Sequence, residues 1–274
     1  MFDQVSLLCS KKVTQTYSTS FSLGIKYIHA SMRPAIYAIY GFVRLADEVV
    51  DSFHSYNKDA MIVDLERQTY QAIEERISLN PILNSFQWAV HEYAIQPALI
   101  DAFLHSMKMD LNPCAYTKNE YEKYIYGSAE VVGLMCLHVF CNRNMDLFEE
   151  LKPAAKKLGS ALQKVNFLRD FKSDSEELGR VYFPNVNFLH FNEADKATIV
   201  NDIKEEFREA AIGIKKLPIE AKRGVYLAFV YYKALLAKIE KTPAMNIKTQ
   251  RIRIPNYNKF ALLCRCYIWD LPKG

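Results

Sequence analysis

The sequence predicts an all-α protein, read as a single domain over residues 1–274, and three observations carry that reading. Long stretches repeat their apolar residues at 3.6-residue spacing. Alternating apolar and polar runs of the strand type are scarce. Nine glycines and ten prolines are spread thinly through the chain, and 50% of the residues are apolar, enough to bury a core without disulfides.

The elements follow in order. A first helix is expected from Asp3 to Thr16, then an irregular connection through Tyr17-Ser-Thr-Ser-Phe-Ser22 and Gly24, because Ser, Thr and Gly favour turns. A helix with Pro34 in its first turn follows and runs to about Phe53. Further helices are expected at about 58–77, 82–94 and 97–110, the last two opened by Pro81 and Pro97. Thr117 and Glu120 form a capping box for a helix reaching about Phe140. Helices at about 146–174, 193–215, 218–241 and 257–268 complete the chain.

Thirty-five basic against 31 acidic residues give a net charge of +4, too balanced for a nucleic-acid surface. Attraction to phosphates or anionic headgroups stays open, and with it a peripheral position on the inner membrane. Six cysteines lack CxxC spacing and read as buried free thiols in a reducing compartment. The N-terminus lacks signal-peptide regions, and no uncharged apolar run looks long enough to cross a bilayer, so the expected location is cytoplasmic.

Chemistry concentrates in two acidic pairs of equal spacing, Asp47 with Asp51 and Asp170 with Asp174. An i,i+4 step turns about 40° beyond a full circle, so each pair sets two carboxylates side by side. Such like-charge pairs cost an isolated helix roughly 0.2–0.5 kcal/mol, which calls for a cation or for exposure. From Pro34 to Phe53 the only charged residues are Arg44, Asp47, Glu48 and Asp51. All four fall within an arc of about 100° on an otherwise apolar helix, so the patch reads as facing an internal cavity. Gln163, Asn166, Asp170 and Asp174 form a second stripe at steps of three, four and four, a set of hard oxygen donors suited to Mg²⁺.

Five segments in one order, Tyr17–Phe21, Tyr40–Asp51, Tyr124–Gly133, Gln163–Asp170 and Gly179–Pro184, give the chain its likeness. It resembles the squalene/phytoene synthase family of head-to-head prenyltransferases over nearly its whole length, and bacterial phytoene synthases above all. The resemblance implies an isoprenoid-synthase-type helical bundle with a central cavity. It makes Asp47, Asp51, Asp170 and Asp174 the catalytic metal ligands, with Asn166 supporting the second site. It makes Ser18, Ser20, Tyr40, Arg44, Gln163, Tyr232 and Arg251 contacts to diphosphate or prenyl chain, with Arg169 and Arg180 able to bind diphosphate. Phe21, Tyr37, Tyr40, Tyr124 and Tyr126 are aromatic faces able to stabilise an allylic cation. Two positions depart from the family pattern: Ser173 stands where a glutamate is usual, and Glu130 where a small residue is commoner.

The implied reaction is condensation of two geranylgeranyl diphosphates to phytoene through a cyclopropylcarbinyl diphosphate, the first step of carotenoid biosynthesis. Mg²⁺, with Mn²⁺ as substitute, is the implied cofactor, and NADPH is not expected. The alternatives are squalene or dehydrosqualene synthesis from farnesyl diphosphate, or a catalytically silent lipid-binding or assembly protein of the same fold. Oligomeric state is not legible in the chain.

Overall fold

The computed structural model describes residues 1–111, 116–176, 182–184, 186 and 190–254, without the side chains of 19, 20 and 173–176. The described elements are helical throughout: α1 (Phe2–Tyr17), α2 (Thr19–Lys26), α3 (Arg33–Ser52), α4 (Lys58–Glu75), α5 (Pro81–Tyr93) and α6 (Pro97–Leu111) lead the chain. α7 (Lys118–Ile125) runs through a π-helical turn, Tyr126–Glu130, into α8 (Val131–Cys141). α9 (Met145–Glu176), α10 (Glu193–Lys216), α11 (Ile219–Lys241) and the short α12 (Ala244–Ile247) follow.

Two expectations are corrected. Tyr17–Ser22 is not irregular: the chain breaks only at Ser18, whose extended backbone and side-chain oxygen, accepting from Phe21 N–H at 3.2 Å, start α2. The Ser/Thr bias read as a turn is a capping signal. The helix capped by Thr117 and Glu120 is not uniform either, since it carries a π turn that leaves its apolar pattern intact. The expected final helix, 257–268, lies outside the described residues.

That π turn is held from both sides. A Cβ on Gly127 would lie 2.4 Å from the Ala102 carbonyl oxygen on α6, and one on Gly159 of α9 would lie 2.8 Å from that of Ala129. Only glycine permits both approaches. Glu130 reaches across to Lys156 at 3.1 Å, and Lys156 sits 5.1 Å over the Tyr126 ring. The stretch Lys118–Cys141 is by length and composition apolar enough to cross a membrane, but it carries Glu130 and most of its apolar window is buried in the protein.

Packing orders the helices into a ring. α3 packs on α8, α8 on α9, α9 on α11, α11 on α2, and α2 on α3. Among the described residues α3 and α9 share no substantial packing with each other. The core is filled by stacked Phe42 and Phe86 at 4.0 Å, with Phe103 at 5.3 Å from Phe42. Of the six cysteines, Cys9, Cys136 and Cys141 are described and carry free thiols, and burial pushes Cys136 up to about 12 and Cys141 to about 11.

Candidate active site

On α3 the run Ala35–Ile39 is buried on every side. Beyond it Tyr40, Arg44, Asp47, Glu48 and Asp51 are half-buried, spaced to share one helix face. Arg44 is the hub: its guanidinium pairs with Glu48, lies 3.9 Å from Asp47, and stacks 4.3 Å from the Tyr17 ring centroid. Burial pushes Glu48 up, but hydrogen bonds from Ser52, Arg44 and Tyr17 bring it below the ordinary carboxylate value. Tyr40 stacks on Phe21 at 4.8 Å. Burial raises the Tyr40 phenol, a hydrogen bond with Ser18 opposes that, and the charge of Asp47 adds to it.

On α9 the face bearing Gln163, Asn166, Arg169 and Asp170 is likewise half-buried. Asn166 accepts from the Tyr232 hydroxyl of α11 at 3.2 Å and donates to Gln163 at 3.4 Å. Asp170 accepts from Arg169 at 2.5 Å and from Arg251 Nε at 2.6 Å. Burial pushes Arg169 down, yet its bond to Asp170 holds it above its ordinary value. Tyr232 is raised by burial, opposed by Arg169. The Tyr40 phenol on α3 and the Tyr232 phenol on α11 lie close enough to influence each other's ionisation, so the two faces approach each other there.

The two faces therefore belong to helices on opposite sides of the ring, linked through tyrosines carried by the ring itself. Among the described residues no three Asp, Glu, His or Cys side chains form a metal cage by themselves. Arg180 lies outside the described residues, as do the side chains of Asp174 and Ser20. The donors that are described fit a hard divalent cation, being carboxylate and carboxamide oxygens without thiolate or imidazole. Guanidinium groups already stand beside Asp47 and Asp170, which marks both carboxylates as cation acceptors.

A family model for squalene/phytoene synthase matches residues 14–258. The chain belongs to the squalene/phytoene synthase family. It is a prenyltransferase of that type, joining prenyl groups head to head. It is 26% identical to a phytoene synthase of Arthrospira platensis, over 93% of this chain and 90% of that one. It is 26% identical to a 4,4'-diapophytoene synthase of Staphylococcus haemolyticus over 66% of this chain and 63% of that one. Its fold is similar to a solved dehydrosqualene synthase, with a TM-score of 0.83 at 22% identity, covering 97% of this chain and 96% of that one.

Of the residues picked from sequence, Ser18, Phe21, Tyr40, Arg44 and Asp47 come together in one cluster, and Gln163, Asn166, Arg169, Asp170, Tyr232 and Arg251 in the other. Asp51 lies one turn beyond Asp47 on the same face. Tyr124 stands in neither cluster: it is buried in a stack with Tyr116 at 5.3 Å and Tyr182 at 5.2 Å, and donates to Asp110 at 2.8 Å. Phe167 joins that stack, 3.9 Å from Tyr182, so Tyr182 is fastened to α9 by aromatic faces. Glu48 and Tyr17 were missed as site residues. Glu48 was legible as the i+4 partner of Arg44, whereas nothing local announces that Tyr17 reaches it.

Proposed function

We propose that this enzyme condenses two geranylgeranyl diphosphates to phytoene with Mg²⁺ and without NADPH. The observation that carries the reading is the pair of half-buried acidic faces, Asp47/Asp51 and Asp170, set on two helices, α3 and α9, that are joined through α8 on one side and through α11 and α2 on the other. Asp47, Asp51 and Asp170, with Asp174 and Asn166, would hold the metal. When bound, it would neutralise charge developing on the departing diphosphate. Arg44, Arg169 and Arg251 would then orient the diphosphate through charge-assisted hydrogen bonds. The Phe21–Tyr40 stack offers its ring faces to the allylic cation, each worth roughly 0.5–2 kcal/mol, and excludes water beside it. The cation adds to the double bond of the second substrate, the adduct loses a proton to close the cyclopropylcarbinyl diphosphate, and a second ionisation, rearrangement and proton loss give the product.

A second reading keeps the chemistry and shortens the substrate to farnesyl diphosphate, favoured by the likeness to the diapophytoene synthase. Incubation with labelled farnesyl or geranylgeranyl diphosphate, with and without NADPH, separates the two. Phytoene from the longer substrate, indifferent to NADPH, is expected. A hydrocarbon formed only from the shorter one would overturn the preferred reading, and no product from either would favour a silent lipid-binding or assembly protein.

A further inference from the structure

Helix α1 turns its small polar side chains inward and its large apolar ones outward. Ser6, Ser10 and Thr14 are fully buried, while Val5 is 47% and Leu8 61% exposed, with Phe2 also exposed. The inner seam is too tight for anything larger: a Cβ on Gly41 of α3 would lie 2.6 Å from the Ser10 Oγ. Its hydroxyls are satisfied. Ser6 donates to the Phe2 carbonyl at 3.1 Å, Thr14 to the Ser10 carbonyl at 2.8 Å, and Ser10 shares a 2.6 Å bond with Ser85 of α5. The core thus has no place for Val5 and Leu8.

Met1, Val5, Leu8 and Lys12 recur at steps of four, three and four, one stripe along the side of α1 opposite the seam. The loop between α4 and α5 also exposes Ile77 and Leu79, the latter at 94%. Asn84 ties that loop to the first turns of α1, accepting from Ser78 N–H at 3.1 Å and donating to Asp3 at 2.9 Å and Ser6 at 3.2 Å. Lys11 and Lys12 are exposed, and among the described residues neither enters an ion pair.

We propose that this face seats the enzyme on an anionic lipid surface, with Val5, Leu8 and Phe2 at the acyl boundary and Lys11 and Lys12 at headgroup phosphates. An apolar row ending in unpaired lysines is the pattern of a helix lying in the membrane interface. A second copy of the chain would bring two further lysines to the same joint, where phosphates would neutralise them. α1 ends at Tyr17 and Ser18, beside Arg44 and Tyr40, so docking sets the site of condensation next to the surface from which a prenyl diphosphate is drawn. The docking face stands whether the substrate is farnesyl or geranylgeranyl diphosphate.

Vesicle sedimentation with the full chain tests it, using phosphatidylglycerol-containing and pure phosphatidylcholine vesicles at low and high salt. The wild type is expected to bind the anionic vesicles and to be released by salt. Val5→Asp/Leu8→Asp should weaken that binding about tenfold or more. Lys11→Gln/Lys12→Gln should weaken it and flatten its salt dependence. Melting temperature and turnover of detergent-dispersed substrate should stay unchanged in both. Wild-type protein indifferent to anionic lipid, or a Val5→Asp/Leu8→Asp variant that binds as well as wild type, would overturn the proposal. So would a variant that turns a wild-type oligomer into a monomer, because the face then belongs to a second copy.

Discussion

The acidic faces of α3 and α9 look alike in sequence and are built differently. On α3 the partners are local: Arg44 meets Asp47 and Glu48 at i+3 and i+4, so the helix itself sets their geometry. On α9 only Arg169 is local, while Arg251 and Tyr232 come from 81 and 66 residues away. The charged set Arg44, Asp47 and Glu48 forms with its helix, and Tyr17, Ser18 and Phe21 only close over it when α1 and α2 dock; the second cluster exists only once α11 and the segment after α12 have docked. Its arrangement therefore depends on tertiary packing and is the one more open to displacement.

Removing an aspartate should have the largest effect and should separate the two faces. Asp47→Ala and Asp170→Ala should each cut turnover by about a thousandfold or more, equivalent to ~4 kcal/mol of barrier. In thermal melts the two should part, because Asp47→Ala leaves Arg44 paired with Glu48. Asp170→Ala leaves Arg169 and Arg251 facing each other and should cost about 1–2 kcal/mol. Equal melting temperatures would erase the distinction.

The arginines should show the converse. Arg44→Ala strips Glu48 of its pair and Tyr17 of its cation, and should lower stability by about 2 kcal/mol in denaturant titration. Arg251 is half exposed, so Arg251→Ala should leave stability nearly unchanged while raising KM several-fold in steady-state assays. A smaller loss is expected for Tyr232→Phe, which removes the bond to Asn166 and should cost about 1 kcal/mol.

The smallest effect calibrates the others from outside both faces. His138 is buried against Phe148 at 4.1 Å, and burial holds its imidazole below the ordinary 6.5. The folded protein keeps it neutral while the unfolded chain takes up a proton, so stability is full above about pH 6.5 and falls on acidification. Melts between about pH 7 and pH 5 should show a fall in melting temperature that His138→Leu flattens.

Much of this was legible because it is periodic. The helices, the capping box at Thr117 and the shared arc of Arg44, Asp47, Glu48 and Asp51 all follow from 3.6-residue spacing. What was not legible is what spacing does not encode. Ser18 gives the same signal as a turn until its oxygen is seen to accept from Phe21. Tyr124 lies in a matching segment, yet its ring belongs to a stack that holds Tyr182, a role set by Tyr116 and Tyr182 rather than by its neighbours in sequence. The meeting of Arg251 with Asp170 is fixed by the path of the chain, which no local pattern reports.

The wide turn at Tyr126–Glu130 sets the rotational phase of everything after it. It holds one residue more than a regular coil would need, so tightening it to a regular α-helix without removing that residue would swing α8 by about 100° relative to α7. Gly133 would then leave the Ala155 carbonyl it now nearly touches. The wall between α3 and α9 would present different side chains to the interior, with no substitution on either acidic helix.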